Sequence, residues 1–309
     1  MSLRSVLGTL RRSLESNKNT WPDDKLLKGI MDGYEQRMGY RFDINNPTTF
    51  TEKIQWYKLY YNKNNLHRIV DKYLFKGYIE EKLGSGYTIP LIGVWTTIEE
   101  LEKEWDNLPE QFCLKSTVQS DGNFIKIIKK KGDFSCIKKE VKEWFNPKKT
   151  LINSYCKAYH KCIPRVIAEE YVSQIDDQLY DYKFFCFNSE IYCIYVGTDH
   201  FDENYNNLGA TEYGVSFYDT DWKKMNASYG THKSPDIPRP IHLNEMVRLS
   251  RVLSKGFPFI RVDFFETNTN LYVAELTLYP GGGLTPYHPS SMNTEMGRLF
   301  TVPEEQYNV

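Results

Sequence analysis

Two alternating runs near the C-terminal end, Phe259-Ile-Arg-Val-Asp263 and Tyr272-Val-Ala-Glu275-Leu-Thr277-Leu-Tyr-Pro280, have the apolar–polar period of strands with one buried face. The polar stretch Thr267-Asn-Thr-Asn270 between them reads as a turn, which predicts an antiparallel hairpin. Arg261 and Asp263 share a face of one strand, and Glu275 and Thr277 share a face of the other. If the two faces coincide, two carboxylates, a guanidinium and a hydroxyl project into one place. Carboxylates brought that close repel unless positive charge sits between them, and hard cations such as Mg²⁺ prefer oxygen ligands. Phosphates would supply the remaining oxygens, with Arg261 clamping one of them. A surface hairpin with ordinary salt bridges has the same spacing, so both readings stay open on spacing alone.

The chain of 309 residues is long enough for two or three subdomains with substantial cores. An apolar content of 40% with 26% charged residues describes a soluble globular protein. The net charge of −1 gives no global basic field for nucleic acid or an anionic membrane. No two of the six cysteines form a C-x-x-C pair of the zinc type, and Cys113, Cys186 and Cys193 lie in apolar strand-like runs. Scattered core thiols predict a reducing, cytoplasmic compartment. Residues 1–12 lack the long apolar core of a signal peptide. They read as a polar surface helix or as a basic amphipathic helix peripheral to the inner face of the membrane. No stretch reaches transmembrane length, so stable membrane insertion is not expected.

Along the chain, residues 1–66 read as a helical N-terminal region, with helices at 25–37 and 51–61 separated by a turn at Asn46-Pro47. A helix at 68–83 follows, then a strand at 88–95 and a helix at 97–105. From Phe112 the pattern changes to strands at 112–115 and 124–128 around a polar loop, 116–123. A helix at 138–144 precedes a strand at 165–172, a polar link at 173–178 and a hairpin at 181–196. Residues 198–240 read mainly as loop, and 243–254 as an amphipathic helix before the final hairpin. The expected class is α+β, helices first and antiparallel sheets after. Its parts are 1–66, an α+β part at 67–163, and a C-terminal part at 164–309 that carries the hairpin 259–280.

Three further positions can carry chemistry. Lys115 ends an apolar strand facing a polar loop with Ser120 and Gly122, where charge and backbone N–H groups can hold phosphate; an exposed strand-end lysine is the alternative. Lys183 shares a polar strand face with Asp181, between Tyr182 and Phe184, as a phosphate ligand or a snorkelling surface lysine. Glu169-Glu170-Tyr171-Val172 closes an apolar strand, where backbone groups could meet an adenine edge; Glu169 is otherwise an ordinary strand-end carboxylate. The phosphate loop G-x-x-x-x-G-K-[ST], a G-x-G-x-x-G after a strand, and the nucleophile elbow G-x-S-x-G are all absent. His288 lies close in sequence to the hairpin, as a substrate contact or a plain loop histidine.

Taken in order, Asn46-Pro-Thr-Thr-Phe-Thr-Glu-Lys-Ile-Gln-Trp56, Asp71-Lys72-Tyr73, Phe112-Cys-Leu-Lys115, Ala168-Glu169, Asp181-Tyr-Lys-Phe-Phe-Cys-Phe-Asn188 and Arg261-Val-Asp263 through Glu275-Leu-Thr277 resemble the ATP-grasp superfamily. They are most similar to its TupA-like branch, associated with teichuronopeptide and capsular polysaccharide synthesis. The resemblance covers about residues 34–300 and implies two α+β subdomains with antiparallel sheets that grip ATP. It implies that Lys72 and Lys115 bind phosphates, with Ser120 and Gly122 in the loop beside them. Glu169, Glu170, Tyr171 and Val172 match the adenine hinge. Asp181 matches a ribose- or substrate-side acid, and Lys183 the basic residue of that strand. Arg261 matches the phosphate or acyl-phosphate clamp, and Asp263 and Glu275 the Mg²⁺ ligands, with Thr277 where many relatives carry Asn. The phosphate loop departs from the branch pattern Lys-x-Asn-His-Gly-Ser-Gly. Here it reads Lys115-Ser-Thr-Val-Gln-Ser-Asp121-Gly122, with less glycine freedom and an added negative charge. The implied activity is an ADP-forming carboxylate–amine ligase working through an acyl phosphate in bacterial cell-surface polysaccharide synthesis. Its partners would be ATP, an amine and an acid such as a uronic-acid sugar or glycan precursor. A sugar-nucleotide glycosyltransferase is the alternative from another class, with Asp219-Thr-Asp221 as its one D-x-D match. A non-catalytic nucleotide-binding partner is the other. The oligomeric state is not predicted.

Overall fold

A computed structural model describes residues 23–61, 63, 65–118, 124–146, 155–172, 180–198, 214–229 and 234–303. Two antiparallel sheets organise them. The smaller has the order β1 (Leu91–Trp95), β4 (Val166–Glu170), β2 (Phe112–Ser116), β3 (Ile125–Ile128). The larger has the order β10 (Leu271–Thr277), β9 (Phe259–Glu266), β5 (Asp181–Phe187), β6 (Glu190–Thr198), β7 (Gly214–Tyr218). A two-residue ribbon pairs β8 (Ser228–Tyr229) with β11 (Tyr287–His288). Strand β4, grouped by sequence order with the C-terminal part, is thus hydrogen-bonded into the smaller sheet.

The smaller sheet follows its period-2 pattern. Phe112, Leu114 and Ser116 of β2 are buried, while Cys113 and Lys115 face the other way. The buried side packs with Leu101 of α5 (Ile98–Glu104) and Val141 of α6 (Ser135–Glu143), together with Trp105 and Trp144, in a core of its own.

The larger sheet is covered on both faces, so its strands are apolar nearly throughout. One face meets α7 (Leu243–Leu253), whose Leu243, Met246, Leu249 and Leu253 recur at helical spacing and are fully buried. The other meets α2 (Phe50–Tyr60), whose Phe50 ring stands 4.9 Å from Phe259 and 5.8 Å from Phe187. Thr49 and Glu52 close a capping box at the start of α2, so the marker residues near Pro47 fix where this helix begins.

The structure differs from the sequence expectation in three places. The helix expected at 68–83 breaks into α3 (His67–Val70) and α4 (Leu74–Leu83). At the break, Asp71 Oδ1 accepts the N–H groups of Tyr73 and Leu74 at 2.9 and 3.1 Å. That local bond competes with continued helix and turns Lys72, whose N–H donates to Thr117 O at 2.9 Å. Within 198–240, read mainly as loop, β7 adds an edge to the larger sheet and β8 pairs with β11. A helix that the sequence did not suggest, α8 (Ser290–Leu299), packs on α2, with Lys53 Nζ donating to Gly297 O and Phe300 O, both at 2.8 Å. Among the described residues a further α-helix is α1 (Asp23–Met38).

The α2–α8 contact is close enough to exclude a methyl group. A Cβ on Gly297 would lie 2.8 Å from Thr49 Cα and 2.9 Å from its carbonyl carbon. Helix propensity favours alanine by about 1 kcal/mol, whereas overpacking costs about 1–3 kcal/mol. Gly297→Ala is therefore expected to lower the urea midpoint, and a raised midpoint would show that the helices can part without cost.

Candidate active site

A regular strand would place Val273 and Glu275 on one face. Here the register shifts between them, so that Val273 lies opposite Phe264 and Glu275 opposite Asp263. The irregularity turns Glu275 onto the face of Asp263. Because Asp263 is also opposite Lys183 in β5, the row Lys183–Asp263–Glu275 crosses three adjacent strands. The next row is Phe185–Arg261–Thr277. The expected coincidence of the two hairpin faces is present.

The charges in these rows are neutralised pairwise. Arg261 grips Asp263 with two bonds, Nε to Oδ1 at 2.7 Å and Nη2 to Oδ2 at 2.5 Å, and Nη2 reaches Thr277 Oγ1 at 3.1 Å. Asp263 is 1% exposed. Lys183 pairs with Asp181 and lies 3.9 Å from Asp263 Oδ2. Burial pushes the Lys183 ammonium down to about 8, opposed by Asp263 and reinforced by Arg261. Lys72 comes from the α3–α4 break and places Nζ 3.2 Å from Glu275 Oε1. Burial raises the Glu275 carboxyl, but Lys72 and Arg261 outweigh it and hold the group below its usual value.

A second cluster lies on the smaller sheet. Lys115 Nζ is 2.6 Å from Glu169 Oε2, and Lys76 pairs with the other oxygen of Glu169 while donating to Ile89 O at 2.6 Å. Burial would lower Lys115, but Glu169 more than offsets it and raises the group above its usual value, with Glu275 adding to the rise. The charged groups of the two sheets therefore act on one another. For Lys76 burial prevails and the value falls.

Lys72, Asp181, Lys183, Arg261, Asp263, Glu275 and Thr277 thus gather on one sheet, with Lys115 and Glu169 on the other. Glu170 is exposed, and its N–H donates to Pro90 O at 3.0 Å. Tyr171 and Val172 follow β4 half-buried. Ser120 and Gly122 lie outside the described residues. His288 faces outward from the β8–β11 ribbon while Tyr287 faces inward, so His288 does not join the cluster. Asp219 of the D-x-D match accepts the N–H groups of Asp221 and Lys223 at 3.0 and 2.8 Å, the bonding of a self-capped turn. Sequence reasoning missed Lys76, and it missed Arg165, whose Nη1 is 3.2 Å from the fully buried Asp71. Lys76 falls one helical turn beyond Lys72, the only signal that pointed to it.

Among the described residues no group of three or more His, Cys, Asp or Glu side chains gathers as a metal cage. Two facing carboxylates do fit Mg²⁺, which takes one or two protein carboxylates together with substrate phosphates and waters.

The TupA-like ATP-grasp family model matches residues 52–301. The chain belongs to that family. Among solved structures it is similar to D-alanine–D-alanine ligase from Bacillus anthracis, at 17% identity over 75% of this chain and 65% of that one, with a TM-score of 0.45. It is also similar to phosphoribosylamine–glycine ligase from Thermotoga maritima, at 13% identity over 69% and 48%, TM-score 0.41. N5-carboxyaminoimidazole synthetase from Staphylococcus aureus, complexed with ADP, gives 14% over 76% and 53%, TM-score 0.38. The chain thus spans from about half to about two thirds of these proteins. At such distances the assignment rests on the family match. No curated protein matches the sequence.

Glu169 is the common partner of two buried ammonium groups, so Glu169→Gln leaves both unneutralised. Breaking a buried pair costs about 3–5 kcal/mol, and the ligand-free variant is expected to lose about that much stability in urea. An unchanged midpoint would mean that the two lysines find solvent or other partners.

Proposed function

We propose that this ATP-grasp enzyme is an ADP-forming carboxylate–amine ligase. The observation that carries the reading is the row Lys183–Asp263–Glu275, in which two facing carboxylates stand among cations that can turn to phosphate. Lys72 and Lys115 would address the triphosphate, and Arg261, released from Asp263, would clamp the γ-phosphoryl group. Glu169 and the hinge 170–172 would meet the nucleoside end, with Asp181 on the ribose or substrate side. Asp263 and Glu275, with Thr277 beside them, would hold Mg²⁺, which offsets charge on the β- and γ-phosphates when bound.

In the step these residues support, an oxygen of the acid attacks the γ-phosphorus and the bond to the β-bridging oxygen breaks, giving an acyl phosphate and ADP. The amine then attacks the acyl carbon, phosphate leaves, and the nitrogen loses a proton to give an amide. Lys183, whose ammonium burial lowers against the pull of Asp263, would add its charge to the field on the transferred group.

For the setting we propose cell-surface polysaccharide synthesis, with a uronic-acid glycan or its precursor as the acid. The TupA-like assignment supports this. A cytoplasmic location, at most peripheral to the membrane, accords with the described residues, where no helix is long and apolar enough to cross a membrane.

Products decide the reading. Purified protein with Mg-ATP, an acid panel and hydroxylamine is expected to yield ADP, phosphate and a hydroxamate in equal amounts. Asp263→Asn and Glu275→Gln are expected to slow this by about 100-fold or more while remaining folded. AMP as product, or wild-type rates in both variants, would refute it.

A further inference from the structure

The N-terminal marker segment contains a lysine that the pairing above leaves aside. Lys58, on α2, is 6% exposed. Its Nζ donates to Gln55 Oε1 at 2.8 Å, and no carboxylate among the described residues lies within ion-pair distance. Lys72, Lys76, Lys115 and Lys183 each face a carboxylate. A buried ammonium with only a neutral partner is costly, and burial accordingly lowers its value. The group has three donors, of which Gln55 takes one.

The surroundings of Lys58 are built. Gln55, 1% exposed, donates from Nε2 to Gly282 O at 3.0 Å and Gly283 O at 2.9 Å. These carbonyls belong to a turn in which Gly281, Gly282 and Gly283 have φ of 55°, 61° and 65°, a run that side chains strongly disfavour. A Cβ on Gly283 would lie 2.5 Å from Gln55 Nε2, so that glycine is filled by packing. Gly282 differs: the nearest atom to a Cβ there is Lys58 Nζ, at 3.7 Å. Leu284 Cδ1 follows at 3.9 Å, so a Cβ there would sit in ordinary contact with the ammonium, which stands beside Gly282. The turn follows Thr277 after Leu278, Tyr279 and Pro280.

We propose that Lys58, held by Gln55 beside Gly282, is the binding group for the carboxylate of the acid substrate. Its two remaining donors match the two oxygens of a carboxylate, and the single charge suits a monoanion. The phosphates of ATP fall to Lys72, Lys115 and Arg261. The inference rests on the ligase reading for calling the ligand a substrate; the anion site itself stands on Lys58, Gln55 and Gly282.

Reductive methylation of the folded full chain, read at Lys58 by mass spectrometry, tests it with acetate, D-glucuronate and D-glucose as probes at equal ionic strength. Lys58 is expected to be methylated, and an acid at ten times its Kd to slow the labelling about tenfold, with glucose inert. Protection by acetate alone keeps the site and removes the uronic-acid reading. No methylation in the folded chain, or protection by neither acid, overturns the proposal. Lys58→Gln, which keeps a donor, supplies the second arm. Its Tm rise with Mg-ATP should persist and its rise with acetate, relative to chloride, should vanish. Persistence of the acetate rise overturns the proposal, whereas a missing Mg-ATP rise in the wild type would count against the ligase reading alone.

Discussion

One irregularity in β10 governs the chemistry of the larger sheet. Two residues apart on a regular strand, Val273 and Glu275 would both point at α7 or both at the charged face. The shift between them sends Val273 into the apolar core and Glu275 across from Asp263. Without it, either a carboxylate would enter the core or a valine would face the cations. The same rows set the rest: Lys183, Asp263 and Glu275 side by side, with Arg261 and Thr277 one step along. At the other end of that face, Phe185, Phe187 and Phe259 pack against Phe50, so the helix that anchors the sheet also borders the polar cluster.

The cluster is charged and nearly neutral overall, which suits a site for a polyanion. Asp263 holds Arg261, Glu275 holds Lys72, Asp181 holds Lys183 and Glu169 holds Lys115 and Lys76. Each pair satisfies buried charges in the ligand-free protein. On the proposed reading, a nucleotide arriving with Mg²⁺ would bring both signs, so that carboxylates and cations could exchange partners with little change in the number of pairs. Among the described residues Lys58 has no carboxylate partner and bonds only the neutral Gln55, which distinguishes it from these cations.

Much of this was legible in the sequence, because strands announce themselves by alternation. The pairs Arg261/Asp263 and Glu275/Thr277, and the placement of Lys115 opposite Phe112 and Leu114, follow from a period of two. Ordered motifs supplied the family. What stayed hidden depends on contacts distant in sequence or on local breaks. The Asp71 side chain ends a helix that the 68–83 pattern would continue, and only that break aims Lys72 at Glu275, more than 200 residues away. Lys76 looks like any helical lysine until β4 brings Glu169 to it. Strand β7 lies in a stretch whose polar composition reads as loop, and α8 begins after Pro289 without a side-chain cap. The register shift at Val273 is likewise silent in the sequence, since both residues keep an alternating pattern.

On the proposed reading, the pairs Arg261–Asp263 and Lys72–Glu275 hold positions that Mg-ATP would take over. A crystal structure of the chain with Mg²⁺ and a non-hydrolysable ATP analogue tests it most directly. The account predicts that Arg261 leaves Asp263 and Lys72 leaves Glu275, both cations then contacting phosphate oxygens while the two carboxylates face the metal. Nucleotide bound with the Arg261–Asp263 and Lys72–Glu275 pairs intact would contradict it.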